Sequence, residues 1–389
     1  MSKKIRAVAA ALAVAALAVT GCSAGGGDDD SPIRIGGVSS VTGPVPFPDI
    51  PAAAAAVFDR VNAEGGIDGR QIDYLSEDDA ADPALASQAG RRLVDEENVV
   101  ALAGSASMVD CSANAALYAQ RGVVSIPGTG VDVACFNSAN IAPVNTGPFE
   151  SYTSLLYYAS EELKAEKVCA IILGLPGLTE GYLASIDRWK EITGKDVAMT
   201  DTSVTFGDDP TPAILAAKSA DCDAVVFNST EPIATSFMGT VKQQGLLDEM
   251  QWLTITAAYT EAAISTLQDQ NTLGLYVNSE FLPFTGDDPA LDDWRKTLTD
   301  ADVPLTSLSV GGYVSATILV DVLKSIEGPI TRESVTEAFR NLDDLENPLL
   351  GMPFTFGEAD VHNPNRASQI VQATDDGWAV VSDWIRLPE

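Results

Sequence analysis

The sequence predicts an α/β protein built as two doubly wound lobes, and two observations carry the prediction. Residues 33–126 alternate short apolar runs with helical patterns in the order β-α-β-α-β-α-β, the mark of a parallel sheet covered by helices. Residues 167–255 repeat that order without obvious sequence identity to the first copy, as two similar lobes facing each other would. Length agrees, because residues 23–389 are too many for one ordinary core and natural for two.

Each element has a local reason. Ile33–Ser39 reads as a strand and Ser40–Pro48 as a Gly- and Pro-rich loop. Pro51–Glu64 is a helix with proline in its first turn and Gly65-Gly66 at its end. Arg70–Leu75 alternates as a strand, and Asp82-Pro83 then caps a helix running to Glu97. Val99–Ala103 is a buried strand, Met108–Arg121 a helix closed by Gly122, and Val123–Ile126 a strand. Asn140–Ser151, with Pro143 and Pro148, links the two copies.

The second copy runs as strand Lys167–Leu173, helix Leu178–Thr193, strand Asp196–Thr202, helix Pro212–Ser219, strand Asp223–Phe227, helix Pro232–Gln244 and strand Gln251–Ile255. Gly274–Pro283 is a further extended stretch, followed by helices over Leu291–Thr299, Val314–Ile326 and 331–345, the last with Thr331 as N-cap. Met352–Phe356 and Ser368–Trp384 are β-like, with a hairpin turn at Asp375-Asp376-Gly377.

The N-terminus predicts export. Lys3, Lys4 and Arg6 precede the apolar run Ala7–Val19, which is short of the ~20 residues a membrane span takes and right for a signal peptide. Val19-Thr20-Gly21-Cys22 resembles a bacterial lipobox, so residues 1–21 are expected to be removed and Cys22 lipidated. Residues 22–32 would then be a lipidated cysteine and a flexible Gly- and Asp-rich tether holding the protein at the outer face of the cytoplasmic membrane. The chain carries a net charge of −32, and losing those three basic residues makes it more acidic still. Nucleic acid and anionic lipid surfaces are therefore poor partners.

With Cys22 set aside, Cys111, Cys135, Cys169 and Cys222 remain, an even number with three possible pairings. Cys111–Cys135 and Cys169–Cys222 is preferred, because each bond stays within one half of the chain. Reduced, buried thiols are the alternative, above all for Cys169 inside its apolar strand. No cysteine pair has metal-site spacing and His362 is the only histidine, so no metal or other cofactor is expected. The chain has no G-x-S-x-G elbow and no Walker motif, and Gly174-Leu175-Pro176-Gly177 lacks the spacing of a dinucleotide turn. Catalytic equipment is missing, which favours binding over catalysis.

Ligands of open α/β sheets sit beyond the carboxyl ends of the strands. Ser105 and Ser107 follow such a strand and open a helix, so they either contact a small polar group or merely cap that helix. The segments IRIGGVSSVTGPVPF (33–47), RVNAEGGIDGRQIDY (60–74), EDDAADPALASQAGRRLV (77–94) and VALAGSAS…GVVSIPGTG then decide the wider reading. Together they closely resemble the extracytoplasmic solute-binding proteins of the leucine/isoleucine/valine type, the receptors of branched-chain amino acid ABC transporters. KVCAIILGLPGLTEGYLASI and CDAVVFNSTEP continue the resemblance at lower similarity.

The resemblance implies the type I periplasmic-binding-protein fold: two α/β lobes, three crossovers and a ligand cleft between them. Lobe 1 would hold 33–143 and 278–349, and lobe 2 would hold 144–277 and 350–389. It implies a monomeric, non-enzymatic receptor that delivers an amino acid or a similar small carboxylated compound to membrane permease subunits. A sensor reporting to a membrane kinase, or an exported enzyme using the same cleft, are the alternatives. Carried over by position, the ligand contacts fall on Phe47, Ser105 or Ser107, Gly128, Thr129 and Gly130 from lobe 1. Leu178, Thr230, Glu231 and Tyr259 should face the cleft from lobe 2. One departure stands out: the family's acid that pairs a ligand ammonium has no counterpart in Thr254–Tyr259. Glu231 either replaces it or serves the dipole at a helix start.

Overall fold

A computed structural model describes residues 31–388 apart from 176, 343, 359 and 364. The signal peptide and the lipidation site at Cys22 lie outside the described residues.

Two separate sheets form, as the repeat predicts. The first is parallel and built from β1 (Ile33–Ser39), β2 (Ile72–Asp78), β3 (Ala101–Ala103), β4 (Ala106–Ser107), β5 (Ser125–Ile126) and β6 (Thr129–Gly130). β2 flanks β1 on one side; β3 and then β4 lie along the other, and they in turn pair with β5 and β6. Around it pack α1 (Asp49–Ala63), α2 (Pro83–Arg91), α3 (Asp110–Arg121) and the short α4 (Val133–Phe136).

The second sheet contains β7 (Val168–Ile171), β8 (Met199–Asp201), β9 (Ala224–Phe227), β10 (Gln251–Thr254) and β11 (Tyr276–Ser279), all parallel in the order β8-β7-β9-β10-β11. Its helices are α5 (Pro148–Tyr157), α6 (Thr179–Thr193), α7 (Thr211–Ser219), α8 (Glu231–Gln243) and α9 (Glu261–Gln270). The chain then returns to the first lobe for α10 (Asp292–Asp300), α11 (Ser307–Ser325) and α12 (Arg332–Arg340), with α10 and α11 against α1. It ends in the second lobe, where β12 (Ala367–Thr374) runs antiparallel to β11, β13 (Gly377–Val380) follows through the expected tight turn, and β14 (Ile385–Arg386) pairs with β12.

Sequence signals at element ends act as read. Asp82 Oδ1 accepts the N–H groups of Ala84 and Leu85 at 2.7 and 3.2 Å, with Pro83 first in α2. Gly122 ends α3 with φ 59°, the left-handed conformation that glycine adopts without strain.

Several elements differ: α4 and α9 are not among the expected helices, and the β-like Met352–Phe356 makes only an isolated bridge between Leu345 and Phe354. α11 starts seven residues before the expected Val314, with a capping box at Thr306 and Ser309, because Gly311 and Gly312 serve packing rather than a break. A Cβ on Gly311 would run into the Gly128 carbonyl oxygen, and one on Gly312 into that of Ile50. α5 begins within the expected link Asn140–Ser151 and runs on to Tyr157, its Ser151, Tyr152, Thr153 and Ser154 all buried without an amphipathic alternation. The helix expected over 331–345 stops at Arg340.

Chain passes between the lobes three times, and the passages are laced together. Thr146 Oγ1 donates to the Ala367 carbonyl at 2.8 Å. Asn365 Nδ2 donates to the carbonyls of Val144 and Glu280 at 3.2 and 2.9 Å, so one side chain joins all three passages. Tyr276–Ser279 belongs to the second sheet, so the second passage begins at Glu280. Cys111 bonds to Cys135, bracing α3 against α4, and Cys169 bonds to Cys222 across β7 and the start of β9.

Candidate functional site

The lobes meet around a cleft at the carboxyl ends of both sets of strands, where open sheets present loops and helix starts. It encloses about 590 Å³, counting the part open to solvent. Val45, Phe47, Met108 and Leu308 line it from the first lobe, and Leu175, Leu178, Phe206 and Ile255 from the second. One buried apolar cluster continues across it, joining Phe47, Ile50 and Val131 to Tyr152, Leu178, Tyr182 and Ile255. Thr256 Oγ1 lies 3.1 Å from Ser307 Oγ, a hydroxyl contact from one lobe to the other.

Polar groups on the wall are few and mostly paired. Asn228 accepts the Leu173 N–H at 2.7 Å and donates to the Leu173 carbonyl at 3.0 Å, fixing the loop after β9 against the loop after β7. Ser229 and Thr254 share a hydroxyl pair at 2.7 Å. Thr129 Oγ1 is buried with no hydrogen-bond partner among the described residues.

Among the described residues, the wall's one carboxyl is Glu280, 1 % exposed, at the start of the second passage. Its Oε1 accepts the Gly147 N–H at 2.8 Å and the Ser151 hydroxyl at 3.0 Å. Oε2 has a single long contact, from Asn145 Nδ2 at 3.3 Å. Burial pushes the Glu280 carboxyl up to about 7, against the pull of Ser151, Asn145 and Gly147, which favour its charged form. Among the described residues, no Lys, Arg or His lines the cleft.

Of the residues singled out from sequence, the structure brings Phe47, Thr129, Gly130, Leu178 and Thr230 to this wall. It places Ser105, Ser107, Gly128, Glu231 and Tyr259 elsewhere, each for a local reason. Ser105 sits where the ladder breaks between β3 and β4, and its Oγ takes the Val38 N–H at 3.2 Å. Ser107 caps α3, accepting from Val109 and Asp110 at 3.0 and 2.9 Å while donating to the buried Asp79 carboxylate. Gly128 packs tightly against the helix, with Gly311 and Gly312 close to it. Glu231 opens α8 and accepts the Thr260 hydroxyl at 2.5 Å. Tyr259 is buried between Phe284 and Trp378, with its hydroxyl 2.7 Å from that of Thr285.

Sequence reasoning missed Glu280, Asn145 and Asn228. Glu280 stood in the extended stretch Gly274–Pro283, and nothing local marks a carboxyl there as buried. Among the described residues, Cys111, Asp132 and Cys135 are the one cluster of metal-ligating groups. It is already committed: the sulfurs bond to each other, and Asp132 accepts the N–H groups of Ser112, Ala134 and Cys135.

A sequence-family profile described as periplasmic binding protein matches residues 32–378. The chain belongs to that family. Solved structures of similar fold include a possible leucine/isoleucine/valine-binding protein from Rhodopirellula baltica SH 1 (20 % identity, 91 % of this chain and 97 % of that one, TM-score 0.76). A second is the branched-chain amino acid transporter substrate-binding protein LivJ from Streptococcus pneumoniae in complex with isoleucine (18 %, 90 % and 100 %, TM-score 0.73). A third is a fatty acid ABC transporter substrate-binding protein from Thermomonospora curvata (20 %, 92 % and 93 %, TM-score 0.76). No curated protein matches the sequence. Membership in the periplasmic binding protein family makes this a substrate-binding chain and implies an extracytoplasmic location.

Proposed function

We propose that this protein is the solute receptor of an ABC importer, tethered by a lipid on Cys22, and that it closes its lobes about a small ligand with an apolar body. The observation that carries the reading is the cleft itself. Loops from the carboxyl ends of two parallel sheets converge on it, apolar side chains dominate its wall, and three laced passages form the hinge beneath it. Closure about such a hinge turns ligand contacts into a shape that a membrane partner can recognise. Isoleucine, bound in the S. pneumoniae neighbour, and the fatty acid of the T. curvata neighbour's name both have apolar bodies that such a wall suits.

The test is a thermal-shift screen of the mature protein against branched-chain amino acids, their amides and medium-chain fatty acids. A ligand at 100 times its Kd stabilises by about 2.7 kcal/mol. Stoichiometric binding without chemical change of the ligand is the expected result. Turnover of a bound compound would instead make the cleft an active site, and silence across all three classes would overturn the receptor reading.

A further inference from the structure

We infer that Glu280 is the group that selects the ligand's head: the cleft takes a compact solute whose cationic nitrogen pairs with the Glu280 carboxylate, while its apolar body lies among Phe47, Leu178 and Phe206. This rests on the receptor reading and adds to it the chemistry of the ligand's charged end.

Charge on the wall is the first argument. Among the described residues Glu280 is the one carboxyl there, and no cationic side chain lines the wall to oppose it. A buried carboxylate without a counterion is costly, and an ammonium arriving from the cleft removes that cost, whereas a ligand carboxylate adds to it. Acceptor capacity is the second argument. Oε1 is occupied by the Gly147 N–H and the Ser151 hydroxyl, whereas Oε2 has only the long contact from Asn145 and room for a second donor. Support is the third. Glu280 and its partners Asn145, Gly147 and Ser151 stand on hinge passages and the first turn of α5, so the acid is held rigid where the lobes turn. Asn145 also accepts the Gly130 N–H at 2.8 Å, which puts the polar end of the cleft at Thr129–Gly130 and Glu280 together.

Glu280 is a different residue from the one at which the resembled family supplies an acid, in Thr254–Tyr259, although Thr256 and Ala257 line the same cleft. Glu231 accepts the Thr260 hydroxyl and is not among the described residues that line the cleft.

Protonation supplies a readout that a purely structural role would not move. With its carboxyl pushed up to about 7 by burial, Glu280 is partly protonated at neutral pH, and an ammonium partner shifts it toward carboxylate. Binding therefore releases protons near pH 7. The titratable group facing it is the Tyr182 phenol on α6, which burial keeps protonated throughout that range.

The experiment is calorimetry on the mature protein in buffers of different ionisation enthalpy, with three matched probes: L-leucine, 3-methylbutylamine and 4-methylpentanoate. One or both ammonium probes are expected to bind with proton release, and Glu280→Gln is expected to weaken them by about tenfold or more and abolish the release. The wild-type proton count stands even where the variant fails to fold. Preferential binding of 4-methylpentanoate, proton uptake, or unchanged ammonium binding in Glu280→Gln overturns the assignment and leaves the receptor reading intact. If none of the probes binds, the assignment falls, and the broader screen above then decides the receptor reading.

Discussion

Asn145 and Glu280 stand on different passages between the lobes and hold one another. Asn145 Nδ2 lies 3.4 and 3.3 Å from the two Glu280 carboxylate oxygens, while its Oδ1 accepts the Gly130 N–H at 2.8 Å. One amide thus couples the hinge to the cleft wall. Asn145→Ala strips a donor from a buried carboxyl and an acceptor from a buried N–H, each worth about 1–3 kcal/mol when left unmade. A combined loss of about 2–4 kcal/mol in urea unfolding is expected. A loss within error of zero would show that water replaces the amide.

Stability of the unliganded protein should fall as pH rises from about 5 to 8. Burial raises the carboxyls of both Glu280 and Asp110 to about 7, from ordinary values of 4.5 and 3.8. Asp110 keeps Asn114 and Tyr118 on Oδ1 while Oδ2 has no partner among the described residues. For a group raised on folding, the native state binds more protons, so its contribution is complete below the unfolded value and lost as pH climbs through the folded one. Melting temperatures followed across that range should drop, and the double variant Glu280→Gln, Asp110→Asn should flatten the slope. A wild-type profile that rises over the same window contradicts both assignments.

These buried acids also mark where sequence reading stops. Strands, caps and turns were legible because their causes are local: Asp82 and Pro83 start a helix, and Gly122 ends one, with partners only a few residues away. Glu280 draws its partners from residues 145–151, more than a hundred positions back, and no pattern around it announces that meeting. α5 escaped for a related reason, since Tyr152 satisfies its buried hydroxyl on the distant Val226 carbonyl at 2.8 Å and the helix shows no polar face. Ser107 had two sound explanations from sequence, and only three-dimensional placement tells a helix cap from a cleft hydroxyl.

Reduction should expose a difference between the two disulfides. Cys169–Cys222 closes a separation of 53 residues and Cys111–Cys135 one of 24. Chain entropy alone assigns them about 4 and about 3.5 kcal/mol. The shorter one also fixes α4 directly after Thr129 and Gly130. Cys111→Ala with Cys135→Ala should therefore weaken ligand binding as well as lowering the melting temperature, whereas Cys169→Ala with Cys222→Ala should lower stability with little change in affinity. Equal effects on affinity would argue against a bracing role for the first bond.

Gly312→Ala tests the close contact under the cleft. A Cβ there meets the Ile50 carbonyl oxygen and comes within 3.1 Å of the Ala53 Cβ, and backbone cannot move aside as a flexible side chain can. Overpacking of this kind costs about 1–3 kcal/mol. Because α11 also carries Leu308 to the cleft wall, displacing it should loosen ligand binding in step with stability, measurable by comparing chemical unfolding with ligand titration.

Thr129→Val should move stability and binding in opposite directions. The Thr129 hydroxyl is buried on the cleft wall with no hydrogen-bond partner among the described residues, while its backbone N–H already donates to the Ser105 carbonyl at 3.2 Å. Valine keeps the shape and removes an unpaired buried oxygen, so the unliganded protein should gain about 0.5–2 kcal/mol in denaturant unfolding. If the hydroxyl exists to meet a ligand, affinity should fall by about tenfold, because the ligand's polar group then enters the cleft and finds no partner. Thr129→Ser keeps the oxygen and should keep the affinity. Should Val and Ser behave alike in ligand titrations, the hydroxyl contributes nothing to recognition, and the polar end of the cleft reduces to Glu280 and the backbone around Gly130.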